Sequence, residues 1–152
     1  LYSERAKSLF EIADHLQKYK DIVINFYGNA TEDIINKINE YKNIKYHGQV
    51  SYLELLEEIK KSDLLLHLEG FSSGYVKDCK YAFSTKISDY FMLGLPMFVY
   101  GSEQISGIKF CKNVIPLFTA TSCSELDKLD KILCGQEKYD INYSLLSELF
   151  GK

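Results

Sequence analysis

The sequence predicts an α/β fold of the doubly wound, Rossmann-like class, in which a parallel sheet carries helices on both faces. Short apolar runs of four to six residues alternate with helix-like segments along the chain. Such runs are typical of parallel strands that are buried on both faces. Three of the runs are followed directly by a glycine, namely Gly28, Gly48 and Gly101.

Length and composition set the first limits. The 152 residues are enough for one domain with its own core, so we expect a single domain over 1–152. The 18 basic and 21 acidic residues give a net charge of −3, which argues against a nucleic-acid-binding protein. No apolar run reaches the roughly 18 residues of a membrane span. We expect a cytoplasmic protein whose cysteines are reduced thiols: Cys79, Cys111, Cys123 and Cys134.

The first half of the chain has clear periodicity. Leu9, Ile12 and Leu16 recur at helical spacing, and Ser51 with Glu54 forms the pattern of a capping box. The elements predicted here are a helix over 4–19, a strand over 22–27, a helix from Thr31 to about 41, a strand over 44–47 and a helix from Ser51 to about 61.

The second half continues the alternation, with one exception. A strand over 63–68 is followed by a long stretch, 69–83, that we predict to be irregular. Loops of that length in compact domains are usually functional or disordered. The remaining predictions are a helix over 84–93, a strand over 96–100, a short helix near 103–110, a strand over 113–118, a capped helix from Ser122 and a helical tail over 141–150.

The predicted order of elements begins with a helix, whereas a doubly wound domain normally opens with the strand at its sheet centre. We therefore expect that residue 1 is not the native start and that the first strand belongs to preceding chain.

The helix at Ser84 differs from most of its predicted neighbours. Those begin with acids that offset the positive helix end, such as Glu54 and Glu103. This helix begins Ser84-Thr85-Lys86, without a carboxylate. A positive N-terminus with two hydroxyls is suited to phosphate. The alternative is an ordinary serine cap followed by a solvated lysine.

Two acids lie near this predicted anion site. Asp89 is about one turn into the helix, where it would repel phosphate but could accept hydrogen bonds from a diol such as ribose. Glu69 follows the strand over 63–68, and ligands of such sheets bind beyond the carboxyl ends of the strands. Glu69 could therefore bind sugar hydroxyls. For both acids, simple exposure to solvent is the alternative.

Four motifs, in order along the chain, carry a resemblance to a known family. Segment 46–51 contains a G-x-V turn, segment 62–71 leads a strand into E-G-F, and segment 83–96 reads F-S-T-K-I-S-D-Y-F-M-L-G-L-P, ending in G-x-P. Together they resemble the C-terminal domain of the family 4 glycosyltransferases. Those are retaining enzymes built from two Rossmann-like domains, the architecture called GT-B.

The resemblance implies roles for both acids. Asp89 matches the acid that binds the ribose hydroxyls, although the family more often has Glu there. Glu69 matches the acid that contacts the donor sugar and is the predicted catalytic residue. The family places seven residues between these acids, whereas nineteen separate them here. The additional segment, 72–83, puts the sugar contact of Glu69 in question.

The resemblance also implies the rest of the donor site. Ser84 and Thr85 match the helix start that receives the diphosphate, and Lys86 either points at phosphate or lies along the surface. Val50 matches the position whose backbone meets the base. Arg5 matches a basic residue near the diphosphate.

The implied function is the nucleotide-sugar-binding half of a retaining glycosyltransferase in polysaccharide or glycoconjugate synthesis. The substrate is a nucleotide diphosphate sugar, with no metal or other cofactor. An N-terminal acceptor domain outside this sequence would complete the enzyme and could bring it to an acceptor at the inner membrane face, so the fragment alone should not transfer sugar. Two alternatives remain: a non-catalytic nucleotide- or sugar-binding module, and half of a sugar-nucleotide epimerase.

Overall fold

A computed structural model describes residues 3–142 and shows an α/β protein with two parallel sheets. The chain divides into two compact units, Leu1–Ser62 and Asp63–Lys152, called unit 1 and unit 2 below. The single domain expected over the whole chain stays a prediction. No helix within 3–142 is long and apolar enough to cross a membrane.

Unit 1 holds a two-stranded sheet in which β1 and β2 pair in parallel, with Ile24 opposite Ile44. Helix α1 contributes most of the buried apolar side chains of this unit, including Leu9, Ile12 and Leu16. The elements are α1 (Ser3–Leu16), β1 (Ile24–Tyr27), α2 (Glu32–Ile38), β2 (Ile44–Gly48) and α3 (Tyr52–Lys60).

Unit 2 holds a three-stranded parallel sheet of order β3-β4-β5. The central strand β4 is fully buried, because the side chains from Met97 to Tyr100 are all 0% exposed. The elements are β3 (Leu65–Leu68), α4 (Ser73–Cys79), α5 (Thr85–Leu93), β4 (Met97–Tyr100), α6 (Ser106–Val114), β5 (Thr119–Ala120) and α7 (Asp127–Leu133).

Several sequence predictions are confirmed. All three strand pairs within 3–142 are parallel. The side chain of Ser51 accepts a hydrogen bond from the Glu54 backbone, while the Glu54 carboxylate accepts one from the Ser51 backbone, so the capping box is present. Helix α5 ends at Gly94, which has a left-handed conformation with φ of 67°. The four cysteines are free thiols.

Other predictions are wrong in their boundaries or kind. The stretch 69–83 contains helix α4 and is not irregular throughout. The strand predicted over 113–118 is displaced to Thr119–Ala120, because α6 runs to Val114 and a 3-10 turn follows at Pro116–Phe118. Ser122 begins a 3-10 turn without a side-chain cap, and α7 starts only at Asp127. The helical tail predicted over 141–150 lies almost entirely outside the described residues.

Candidate functional site

Glu69 lies at the carboxyl end of β3 and is 4% exposed, so the alternative that it is simply exposed to solvent is wrong. Its backbone N–H donates to the Tyr100 carbonyl at 2.9 Å, which extends the β3–β4 pairing by one residue. One carboxylate oxygen, Oε1, lies 3.5 Å from His67 Nε2, and both side chains are about 5% exposed. The strand alternation explains this pairing, because residues two apart point to the same face.

The glycine after β4 permits the buried position of Glu69. A Cβ atom on Gly101 would lie 2.7 Å from the Glu69 Cβ and 3.1 Å from the Ile108 Cδ1. Real Cβ atoms do not approach a neighbouring backbone-linked carbon that closely. The strand end can therefore pack against Glu69 only because residue 101 has no side chain.

The other carboxylate oxygen of Glu69, Oε2, accepts a hydrogen bond from the Tyr75 hydroxyl. Tyr75 belongs to α4, within the stretch 69–83 that the sequence predicts to be irregular. The available signal was Ser72, a favoured N-cap residue type whose side chain accepts from the Tyr75 backbone N–H. Gly74 and the short length of α4 leave no clear helical pattern in the sequence.

The start of α5 is an open helix N-terminus. Ser84 is the N-cap residue, but its side chain makes no cap hydrogen bond, and the first turn contains no acid. Within 3–142 the backbone N–H groups of Thr85 and Lys86 have no hydrogen-bond partner, whereas that of Ile87 donates to the Ser84 carbonyl. These are orphan donors at the positive end of a helix.

Helices α4 and α6 also begin without an acid, so that property alone does not single out α5. The predicted role of Glu103 as a helix-start acid is wrong, because α6 begins at Ser106 and Glu103 instead pairs with Lys112 at 2.5 Å. The N–H groups of Ser106 and Gly107 donate to the carbonyls of Lys80 and Ala82 at 2.9 and 3.3 Å. The first N–H groups of α6 are therefore bonded to backbone carbonyls. At the start of α4, the Tyr75 N–H is bonded to the Ser72 side chain.

The predicted donor-site residues of α5 lie on its exposed side. Thr85, Lys86 and Asp89 are exposed, Ser84 is half-buried, and Ile87 is the buried residue that anchors the helix. Thr85 and Asp89 are four residues apart, so they share one helical face. The Asp89 carboxylate contributes to a raised pKa of the neighbouring Tyr90, whose main cause is burial.

Arg5 and Val50 belong to unit 1. Arg5 lies in the first turn of α1 and is half-buried. Val50 is half-buried and directly precedes Ser51, the N-cap of α3. Their predicted part in a common site with the residues of α5 stays a prediction.

The carboxyl ends of β1 and β2 carry a polar cluster that sequence reasoning missed. The rings of Tyr27 and His47 stack with centroids 4.5 Å apart. The Tyr27 hydroxyl donates to Glu58 at 3.3 Å, and His47 Nε2 lies 2.9 Å from Asn25 Oδ1. Burial, then the Glu58 carboxylate, raises the pKa of Tyr27. These contacts join α3 to the sheet and leave His47 exposed.

Two further observations concern metal ligands and the buried thiol of Cys111. Among residues 3–142, no three His, Cys, Asp or Glu side chains form a group that could hold a metal ion. Cys111 is fully buried, and burial raises its pKa to about 12, which makes it unreactive. Comparison of the chain with models of known protein families, with curated protein sequences and with solved structures found no match.

Proposed function

We propose that the chain binds a nucleoside diphosphate at the start of α5, as the donor-binding half of a retaining glycosyltransferase. The observation that supports this proposal is the open helix start. The N–H groups of Thr85 and Lys86 have no described partner, no acid neutralises the helix end, and Asp89 lies exposed on the same face.

The chemistry follows from the spacing. The two N–H groups and the helix dipole would bind phosphate oxygens, with Lys86 adding a positive charge nearby. Asp89 is four residues beyond Thr85, about 6 Å along the helix axis. That separation suits a ribose whose diol donates to the carboxylate while the phosphates remain at the helix end.

The same groups would assist transfer. When the sugar leaves, negative charge builds on the diphosphate, and fixed N–H dipoles stabilise it without reorganisation. A donor in the two-domain architecture lies in a cleft between the domains, and this chain would supply one wall. We therefore propose that the fragment binds the nucleotide without transferring sugar.

The finer architecture that we propose is a doubly wound, Rossmann-like fold with helices on both faces, as one half of a GT-B enzyme. The parallel pairing of β1 with β2 and the parallel order β3-β4-β5 support this proposal.

The test is a calorimetric titration of the chain and of Asp89→Asn with UDP, GDP, ADP and CDP, with thermal melts alongside. Asn keeps the shape of Asp89 but loses the charge that accepts from a diol. We expect the affinity for the preferred nucleotide to fall by roughly 1–3 kcal/mol, with unchanged melting, because a hydrogen bond to a charged group contributes about that much.

Asp63→Asn is the matched control. Asp63 is exposed like Asp89 but lies just before β3, at the opposite end of the strand. Its substitution should leave the nucleotide affinity unchanged. If Asp89→Asn and Asp63→Asn bind as the unaltered chain does, Asp89 is an ordinary surface residue and the donor site is wrongly assigned.

A non-catalytic nucleotide-binding module is the second candidate, and one observation favours it. The Glu69 carboxylate, which the resemblance assigns to the donor sugar, is buried and bonded to Tyr75. In a module that never handles the sugar, this acid would serve only to hold α4.

A further inference from the structure

We propose that α4 is a lid on the sugar subsite, held shut by Tyr75, whose hydroxyl takes the place of a donor-sugar hydroxyl on Glu69. This inference rests on the proposed function, because it assumes that Glu69 receives the sugar of a nucleotide sugar. It adds a residue, Tyr75, and a segment that lies within the additional stretch 72–83.

The first argument is the occupancy of Glu69. Its Oε2 accepts from the Tyr75 hydroxyl, and its Oε1 lies 3.5 Å from His67 Nε2. With only about 5% of the side chain exposed, the carboxylate cannot reach a ligand in this arrangement. A sugar hydroxyl is an O–H donor like the Tyr75 phenol, so it can donate the same hydrogen bond to Oε2 in place of Tyr75.

The second argument is the weak attachment of α4. The helix has seven residues, and Val76 is its one buried residue. A helix that short has little stability of its own, and segments with few buried apolar contacts are the first to open. The Tyr75–Glu69 bond is therefore a substantial part of what holds α4 in place.

The third argument is the fixed end of the segment. The Lys80 carbonyl accepts from both the backbone N–H and the hydroxyl of Ser106, each at 2.9 Å. The Ala82 carbonyl accepts from Gly107 N–H. These bonds hold the chain just before α5, so α4 can swing away without disturbing the start of α5.

The experiment compares Tyr75→Phe with the unaltered chain, using the ratio of affinities for a nucleotide sugar and its nucleoside diphosphate. The probes are UDP with UDP-glucose and UDP-N-acetylglucosamine, and GDP with GDP-mannose. Phe keeps the ring but cannot donate to Glu69. We expect the affinity for the nucleotide sugar, relative to that for the diphosphate, to rise roughly threefold to tenfold, because one competing hydrogen bond is removed.

Amide hydrogen exchange gives a second readout that needs no nucleotide. In Tyr75→Phe the amides of α4 should exchange roughly threefold to tenfold faster, because the bond that opposes opening is gone, while those of α5 stay unchanged. Tyr81→Phe is the control, since Tyr81 lies in the same segment but is 85% exposed. It should alter neither the affinity ratio nor the exchange.

The outcomes separate the two proposals. Nucleotide binding with an unchanged or reduced sugar ratio in Tyr75→Phe would overturn the lid and leave the donor site standing. Unchanged exchange of α4 would likewise overturn the lid. If neither protein binds any of the nucleotides, the proposed function fails and the sugar subsite fails with it.

Discussion

The family resemblance assigns Glu69 and Asp89 to one ligand, yet the structure gives these two acids opposite surroundings. Glu69 is buried at a strand end, bonded to Tyr75 and beside His67. The Asp89 side chain is exposed on α5 and makes no hydrogen bond or ion pair with any other residue within 3–142. The comparison teaches that a motif can identify an acid without showing whether a ligand can reach it.

The largest expected effect is on stability, and it separates the two acids. Glu69→Ala removes the acceptor of the part-buried Tyr75 bond and leaves a cavity beside the buried His67. We expect the free energy of unfolding to fall by about 3 kcal/mol, because removing one partner of a buried polar pair leaves the other without a partner. Asp89→Ala should change it by less than about 0.5 kcal/mol. Urea unfolding of both variants measures the difference, and equal losses would contradict the contrast.

A third acid, Glu125, lies between these extremes. Burial tends to raise its pKa, but bonds from Lys128 and from the hydroxyl and backbone N–H of Thr121 outweigh burial and lower the pKa from 4.5 to about 2. A depressed pKa contributes stability that is complete above about pH 4.5 and is lost as the pH falls toward 2.

Glu125→Gln should therefore lower the free energy of unfolding by about 1–2 kcal/mol at neutral pH, since the side chain is partly solvated. The difference from the unaltered chain should shrink as the pH falls below 4.5. Denaturant unfolding at pH 7, 4 and 3 checks both points. A difference that stays constant with pH would show that the carboxylate charge is not the cause.

The smallest effect concerns the starts of α5 and α6. Proline at the first helical position keeps the helix but removes one N–H. Thr85→Pro should leave stability unchanged and weaken nucleoside diphosphate binding by about 1 kcal/mol. Ser106→Pro should instead destabilise by roughly 1–2 kcal/mol and leave binding unchanged, because it removes both the N–H and the hydroxyl that donate to the Lys80 carbonyl. The reverse pattern would place the anion site elsewhere.

How far the sequence predicts this molecule depends on element length. The buried helix α1, the capping box at Ser51 and the strand before Glu69 follow from periodicity and capping residues, and all are present. Helix α4 and the two-residue strand β5 were missed or misplaced, because segments that short carry too little pattern. Tertiary contacts, rather than local preference, decide them.

The candidate site, too, could be predicted from the sequence only in part. The helix start at Ser84 was predictable from its serine and the glycine that ends the helix, and its lack of a first-turn acid is visible in the sequence, although α4 and α6 share that lack. The burial of Glu69 was not, since it depends on Tyr75 arriving from a missed helix and on the missing side chain of Gly101. Neither contact can be predicted from the residues next to Glu69 in the sequence.

The connection between β3 and β4 has a consequence for how such a lid can be acquired. Roughly 28 residues join Leu68 to Met97, and the additional segment 72–83 supplies about twelve of them. Loop-closure entropy grows only with the logarithm of length, so lengthening this connection from about 16 to about 28 residues costs about 0.5 kcal/mol. The ordering of its residues into α4 costs more than loop closure does, and the Tyr75–Glu69 bond and the burial of Val76 must offset it. The length of the connection is therefore a small part of what such a segment costs.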